Sequence, residues 1–321
     1  MEKYQNIPVK YIKQIAKNLK IKTSKKESQE IIQEIIKSNC QKHLDHLNGQ
    51  FRYKGNNLTI CKPSNSFPEK SGTAERFMKS LIKEKHVVNG QIGTEWQPSL
   101  KPQIQICSVE QDGSDVYIKL VEEKKSSRKQ GYSNIISTYA HYTAIVLHFA
   151  DQVIELRCAY SDRKKYADYI MKIMGFGQPY DWTPLTVVTK EEAKEICDIL
   201  SAGLSSTHIA IPSTVGSLVF NGKKGINLRD DRAFVAIKNA IEGIGLSTDD
   251  TLDETCFYIY KDDPTGVEIE VSFEVNLKNG GFKFKTDVPE KVVEQVIEAF
   301  IYVCYIQKQK ALSQAALASS E

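Results

Sequence analysis

The chain has 321 residues, of which 41% are hydrophobic and 26% charged, and its formal net charge at pH 7 is +3. This balance, with fifteen tyrosines and twelve phenylalanines, argues against wholesale disorder and favours two or more folded domains. No segment approaches the roughly 20 apolar residues of a membrane helix, and no signal peptide is recognisable. We therefore expect an intracellular, cytoplasmic protein without a membrane partner.

Basic charge is concentrated at the N-terminal end. Residues 1–48 contain ten lysines and five acidic residues, whereas residues 246–321 contain seven lysines and fourteen acidic residues. Such an asymmetry says nothing about the fold. It indicates an end of the chain that faces a polyanion.

The N-terminal segment has the pattern of two amphipathic helices joined by a short link. Apolar residues recur at helical spacing over residues 9–19. Residues 20–23 break this period, and Ser24 with Glu27 then forms the S-x-x-E capping-box pattern of a second helix. We expect that helix to continue to the end of a small helical module, residues 1–48.

The next two segments predict helices and antiparallel strands. Residues 49–100 are expected to form a small hairpin near Gly55, a linker and one helix. Residues 101–178 predict an α+β unit whose first hairpin turns at Asp112-Gly113. The charged run from Glu122 to Lys129 is expected to lie in an exposed helix or loop, and nucleic-acid contact is the alternative interpretation.

The clearest hairpin of this α+β unit is predicted to turn at Asp151-Gln152 and to pair Leu147 with Leu156. Its alternation directs His148 and Glu155 to the other face, which we expect to be solvated. The two side chains then form a cross-strand pair, and proton transfer between them is the alternative interpretation.

Residues 179–310 predict a second α+β unit. Its clearest strand, residues 267–277, alternates apolar and polar side chains, and the turn after it is expected to place Lys285 opposite Glu274. Residues 311–321 are expected to form a flexible tail. The predicted fold class is α+β: a small N-terminal helical module followed by one or two α+β units with antiparallel sheets.

The opening segment resembles a known class of small modules. The shared features are a short amphipathic helix, an extended link with one buried aliphatic residue, Ile21, and the sequence Thr23-Ser24-Lys25-Lys26 before a second helix. Over residues 7–36 this outline is similar to helix-extended-helix modules of the SAP and LEM type. SAP modules are usually DNA-binding, and the resemblance implies that role. LEM-type modules bind a protein instead, so both kinds of partner stay open.

The lysines of this segment indicate nucleic-acid contact independently of the resemblance. At 100° per residue, the lysines of the first helix form a stripe beside the apolar one, and the link extends it toward the start of the next helix. The predicted nucleic-acid-binding residues are Lys10, Lys13, Lys17, Lys20, Lys22, Lys25 and Lys26. We expect phosphate contacts with steep salt dependence and little sequence preference. A solvated helix face is the alternative interpretation.

Other motifs predict no catalytic residue, no metal site and no cofactor. Arg163, Lys164 and Lys165 form a secondary basic patch that is more often an exposed helix surface. Cys40, His43 and His46 are spaced by three residues but lack a recognisable fourth ligand. The sequence from Gly222 to Gly225 lacks the spacing of a phosphate loop, and the seven cysteines, without a CxxC pair, are expected to be reduced core residues.

We therefore expect a DNA-binding protein that contacts the phosphate backbone through its N-terminal module, with an α+β body for oligomerisation or partner binding. Chromosome or plasmid maintenance and anti-phage defence are both compatible with that function. One alternative is a protein-interaction or chaperone-like adaptor without nucleic-acid binding. The other is an enzyme with a dispersed active site, which a deep pocket with convergent ionisable groups would favour.

Overall fold

A computed structural model describes residues 2–211, 216–278 and 280–310. The helices are α1 (Val9–Asn18), α2 (Ser28–Lys37), α3 (Gln41–Gln50), α4 (Ala74–Lys83), α5 (Arg163–Met174), α6 (Lys190–Ile199), α7 (Arg232–Gly243) and α8 (Glu290–Ile301). The strands are β1 (Asn57–Pro63), β2 (Gln105–Asp112), β3 (Asp115–Gln130), β4 (Ser133–His148), β5 (Val153–Arg157), β6 (Trp182–Pro184), β7 (Gly203–Ile211), β8 (Gly216–Asn221), β9 (Thr251–Asp262), β10 (Val267–Asn276) and β11 (Gly281–Phe284). The predicted tail, residues 311–321, lies outside the described residues.

Helices and antiparallel strands together confirm the predicted α+β class, and three helices stand at the N-terminus. The chain divides into two compact units. One comprises residues 57–184, and the other comprises residues 1–56 together with 185–321. The N-terminal helices thus share a unit with the C-terminal strands, although more than a hundred residues separate them in sequence.

In the unit of residues 57–184, the strands form an antiparallel sheet in the order β2, β3, β4, β5, β1, β6. Helices α4 and α5 share a core with this sheet that includes Phe77, Ile118 and Tyr166. The predicted hairpin of this region is present, but its turn is Gly113-Ser114, one residue later than predicted, because Asp112 still pairs with Asp115.

The hairpin of β4 and β5 has a register two residues away from the predicted one. Leu147 pairs with Ile154, because the turn is centred one residue earlier, at Ala150-Asp151. A two-residue shift keeps every side chain on its predicted face. The polar face is nevertheless buried, with His148 9% and Glu155 1% exposed. The prediction that this sheet buries one side only is therefore wrong.

The charged run from Glu122 to Lys129 is a strand rather than a helix or loop. It forms the second half of β3, which pairs with β4 as far as Gln130 and Ser133. Gly131, at φ +60°, begins the two-residue turn between them, a position that glycine favours in hairpins. The run has no apolar alternation of its own, so its strand conformation depends on pairing with β4.

The N-terminal helices differ from the prediction in number and in capping. Residues 24–47 form α2 and α3, which are separated at Asn39, whose φ of +59° ends the helical path. The capping contact lies one turn later than predicted: the Glu27 N–H donates to Glu30 Oε2 at 3.3 Å, and Ser24 stays in the link.

Residues 50–61, all of which are described, form no hairpin. Phe51 and Tyr53 are buried, and the Phe51 ring meets the Tyr11 ring edge-on at 4.7 Å between centroids. Strand β1 begins only at Asn57 and pairs with β5 and β6. Phe51 thus belongs to the core of the N-terminal helices and not to a hairpin.

In the unit of residues 1–56 and 185–321, the strands form an antiparallel sheet in the order β11, β10, β9, β7, β8. The alternation predicted for β10 is confirmed, since Val271, Phe273 and Val275 are buried between less buried polar residues. Phe282 of β11 stacks on Phe273 at 5.0 Å and meets Phe300 of α8 at 5.3 Å.

Strands β10 and β11 pair two residues away from the predicted register. Glu274 lies opposite Lys283, because the pairing of the two strands ends at Asn276 and Gly281. Lys285 still reaches the Glu274 carboxylate in an ion pair, as a diagonal cross-strand neighbour can.

Candidate nucleic-acid interface

The helical module is held together by an aliphatic core between α1, α2 and α3. Ile15, Ile31, Ile35 and Leu44 are fully buried in it. Val267, the first residue of β10, belongs to the same core. The module therefore packs on the C-terminal sheet of its own unit, so that the sheet supports the position of α1.

The link after α1 folds back against the end of that helix. Lys20 has a φ of +58°, which reverses the chain direction. The Ile21 N–H then donates to the Ala16 carbonyl at 2.8 Å, and Ile21 packs at the edge of the module core, as the sequence predicts. The lysines of the helix and those of the link are thereby brought to one side of the module.

Helix α1 and the link together form a concavity of about 500 Å³. It is lined by Lys10, Lys13, Gln14, Lys17, Lys20, Ile21, Lys22, Thr23 and Ser24. Five of the seven predicted lysines are among these residues. Within the described chain, the backbone amides of Thr23 and Ser24 donate no hydrogen bond. The lining thus combines ammonium groups with amide and hydroxyl donors, which suit an anion.

The charges of these lysines are mostly uncompensated. Among the described residues, Lys13, Lys17, Lys20 and Lys22 form no ion pair. Lys10 differs, because its Nζ donates to Thr286 Oγ1 at 2.8 Å. Burial lowers the pKa of Lys10 below its ordinary value, against a smaller opposing effect of Asp287.

Lys25 and Lys26 do not line the concavity. Lys26 Nζ pairs with Glu34 at 2.6 Å, and Lys25 is exposed at a φ of +61°. The start of α2 was expected to attract a phosphate. There, however, the Glu27 N–H already donates a hydrogen bond to the Glu30 carboxylate. The interface is therefore centred on α1 and the link and not on the second helix.

The secondary basic patch is largely neutralised within the protein. Arg163 stacks on Tyr160, with its guanidinium carbon 3.7 Å from the ring centroid. Lys164 forms an ion pair within α5 at 3.0 Å. Lys165 pairs with the buried carboxylate of Glu122. Each of the three side chains thus has a partner, whereas the concavity lysines of α1 and the link mostly have none.

The polar face of the β4–β5 hairpin contains a buried ionic cluster. His148 contacts Asp115 through Nδ1 at 2.8 Å and Glu155 through Nε2 at 3.1 Å, and Arg157 pairs with the other Glu155 oxygen. Burial opposes protonation, but the two carboxylate hydrogen bonds raise the pKa of His148 to about 10. The ring is therefore an imidazolium at neutral pH and is unsuited to act as a base.

The other motifs lead to no site. Cys40 precedes α3, His43 and His46 lie on it, and His46 Nε2 contacts Asp262 at 3.0 Å. Across the described ranges, no three His, Cys, Asp or Glu side chains come together in a way that could hold a metal ion. The glycine pair at 222 and 225 forms a turn after β8, with Gly225 at φ +77°.

A larger concavity, of about 880 Å³, lies in the C-terminal part between α6, α7, β7 and β9. Arg229 and Glu254 form an ion pair in it at 3.1 Å, and Lys190, Lys194 and Lys238 lie around it. Its described lining contains no histidine, cysteine or serine. Arg229 and Glu254 thus neutralise each other.

The chain matches no protein-family model and no curated protein. In the ranges that the structure describes, no helix combines the length and apolarity needed to cross a membrane.

Proposed function

We propose that the protein binds DNA by gripping the phosphate backbone with the concavity of α1 and the link. The observation that carries this proposal is the convergence of Lys10, Lys13, Lys17, Lys20 and Lys22 on one concavity. Unpaired lysines release counterions from nucleic acid when they replace them at phosphates, which gives affinity without sequence preference.

The absence of ion pairs at most lysines of the concavity, within the described chain, also favours binding of DNA phosphates. An ammonium group in an intramolecular ion pair must lose that partner before it can bind a phosphate, whereas an unpaired one loses only water. Four lysines of the concavity are of the second kind, whereas Lys164 and Lys165 of the secondary patch are of the first kind. The concavity is thus the better phosphate site.

The proposal is tested with a triple variant, Lys13→Gln, Lys17→Gln and Lys20→Gln, in the full chain. Helix α4 offers a matched control, because Lys79 and Lys83 are also exposed and four residues apart, and Lys85 follows the helix at φ +60° as Lys20 follows α1 at +58°. The control variant carries Lys79→Gln, Lys83→Gln and Lys85→Gln. Both variants lose three positive charges, so a difference in DNA binding between them reports the position of the lysines and not the net charge.

The measurement is binding of labelled duplex DNA at several salt concentrations. We expect the Lys13, Lys17 and Lys20 variant to bind at least about tenfold more weakly at low salt, and its log–log salt slope to fall by about 2 to 3, since each phosphate contact contributes roughly 0.9. The control variant should retain the wild-type slope. Equal binding by the two variants would reject the concavity as the DNA site.

A second candidate function is self-association through α7. None of the described residues of α7 is buried. Ile237 is 49% exposed, and Ile244, just past the helix, is 75% exposed. Ala233, Ile237, Ala240 and Ile244 lie at helical spacing and form one apolar stripe. This stripe is on the side of α7 opposite the residues that line the 880 Å³ concavity. Such an apolar stripe favours a protein partner.

A second copy of the chain can cover this stripe. An antiparallel pair of α7 helices, related by a two-fold axis through Ile237, would place the Ile237 side chains of the two copies against each other and bury both stripes. We expect a dimer by light scattering and a monomer for Ile237→Glu, with Ile259→Glu on β9 as the control. A monomeric wild type would reject this candidate.

A further inference from the structure

The hairpin of β3 and β4 extends beyond the rest of its sheet. The two strands pair without interruption over all 16 residues of each. Strand β2 pairs with β3 only as far as Val121, and β5 pairs with β4 only from Ala144. In the described part of the chain, residues 124–139 have no strand partners except one another. We name this segment the β-arm.

Side chains fasten the base of the β-arm to α5 and the turn before it. Lys124 Nζ contacts Asp162 at 2.8 Å, and the Tyr166 hydroxyl donates to the buried Glu122 at 2.9 Å. A two-stranded ribbon is marginally stable by itself. The continuous pairing and these contacts at its base allow it to project as an ordered element.

The charge of the β-arm is of one sign. Its sixteen residues include Lys124, Lys125, Arg128 and Lys129 and no aspartate or glutamate. Lys124 is used at the base, but the other three are exposed and form no ion pair within the described chain. Lys125 and Lys129 lie on one face of the ribbon and Arg128 lies on the other. Both faces therefore carry unpaired positive charge.

Apolar groups are exposed beside these charges. Tyr132 in the turn is fully exposed, and Ile136 and Tyr139 are 68% and 45% exposed. Lysines alone would serve to prevent aggregation at a free strand edge. An exposed tyrosine at the tip and an exposed isoleucine behind it work against that purpose, which indicates that these two side chains are covered by a ligand.

We propose that the β-arm enters the major groove of duplex DNA tip first. Tyr132 at the tip contacts base edges inside the groove. Lys125, Arg128 and Lys129 contact phosphates on the two walls of the groove, and Ile136, on the same face as Lys125 and Lys129, packs against the sugars of one wall. This inference rests on the proposed function, which supplies DNA as the ligand class. It concerns a different surface, in the unit of residues 57–184.

The dimensions of the ribbon favour duplex DNA over duplex RNA. The B-form major groove, about 12 Å wide and 8.5 Å deep, admits a two-stranded β-ribbon. Seven residue pairs at about 3.3 Å each give the β-arm a reach of roughly 20 Å, which is more than that depth requires. The major groove of A-form RNA is too narrow for protein side chains to read.

Two variants of the full chain separate the charged and apolar contacts. The first carries Lys125→Gln, Arg128→Gln and Lys129→Gln, and the second carries Tyr132→Ser and Ile136→Ser. Both change exposed side chains, so their thermal unfolding midpoints should equal that of the wild type. Each is titrated against a labelled DNA duplex, the corresponding single strand and an RNA duplex of the same sequence at two salt concentrations.

We expect the first variant to bind DNA duplex about tenfold or more weakly with a salt slope reduced by about 2 to 3. The second should lose several-fold affinity with an unchanged slope, because apolar contacts release no counterions. Wild-type affinity in both variants overturns the β-arm inference, and if the Lys13, Lys17 and Lys20 variant is weakened in the same assay, the proposed function stands. Equally tight wild-type binding to single-stranded DNA or to duplex RNA overturns the assignment to the major groove of duplex DNA.

Discussion

The side-chain amide of Asn18 donates a hydrogen bond to the backbone carbonyl of Gly266 at 3.0 Å. Asn18 is the last residue of α1, and Gly266 immediately precedes β10. The contact joins the end of the lysine-bearing helix to a strand 248 residues away. The candidate DNA interface is therefore positioned by the C-terminal sheet and is not carried by an independent module.

This relationship predicts that the module and the sheet unfold together. Val267 is fully buried in the core of the module although it belongs to β10. Val267→Ala leaves a cavity there, and we expect it to lower the free energy of unfolding by about 2 kcal/mol. The measurement is urea unfolding of the full chain. Val9→Ala on the exposed side of α1 is the control, with an expected effect within about 0.5 kcal/mol; an equal effect of the two changes would contradict the shared core.

Lys22 and Lys26 should differ in their effect on DNA binding. Lys22 lines the concavity without an ion pair in the described chain, whereas Lys26 pairs with Glu34 at 2.6 Å. We expect Lys22→Gln to reduce the salt slope by about 1. The double change Lys26→Gln and Glu34→Gln removes the pair without altering net charge and should leave both affinity and slope unchanged. A larger loss from the double change would move the interface toward α2.

The ionic cluster at His148 predicts a pH-dependent stability. Its two carboxylate contacts give His148 a pKa of about 10 in the folded protein, above the ordinary 6.5. The stabilisation is thus fully present below pH 6.5 and is lost as the pH rises toward 10. We expect the urea midpoint of the wild type to fall over that range more steeply than that of His148→Gln.

Other groups titrate in both the wild type and His148→Gln, so their effects on the urea midpoint cancel when the two pH profiles are compared. If His148→Gln is too unstable to measure, the imidazole of the wild type is titrated by NMR, where we expect a pKa above 9. Parallel stability profiles, or a ring that loses its proton near neutral pH, would show that the carboxylates do not hold the imidazolium.

Lys165 is predicted to matter for stability and not for DNA. It pairs with Glu122, which is 2% exposed and also accepts from the Tyr166 hydroxyl. Burial raises the pKa of Glu122, but the hydrogen bonds from Lys165 and Tyr166 outweigh it and hold that pKa below its ordinary value. Lys165→Gln should therefore cost about 1–2 kcal/mol of unfolding free energy, with DNA affinity unchanged.

Lys164 provides the comparison for Lys165. Its pair within α5 is largely exposed, so Lys164→Gln should change stability by less than about 0.5 kcal/mol. Chemical denaturation and DNA titration of both variants test the two effects separately. A loss of DNA affinity in either variant would restore the secondary basic patch as a contact site.

Local sequence was enough to predict several elements. The amphipathic helix predicted for residues 9–19 is present as α1, with Ile12, Ile15 and Ala16 buried although Val9 is exposed, and the alternation of β10 is present as predicted. These patterns depend on neighbours within one or two turns or on the two faces of one strand, and such neighbours are visible in the sequence. The stripe of lysines on α1 follows from the same periodicity.

Tertiary structure decided which of these features share a surface. The strand conformation of residues 122–129 depends on β4, which supplies hydrogen bonds that no local pattern encodes. The sequence also did not show which surface lysines are paired. Lys124 pairs with Asp162 and Lys165 pairs with Glu122, and in each case the partner is about forty residues away. Strand pairing and ion pairing join residues that only the folded chain brings together, and for that physical reason the sequence alone could predict the lysines of α1 but not the β-arm.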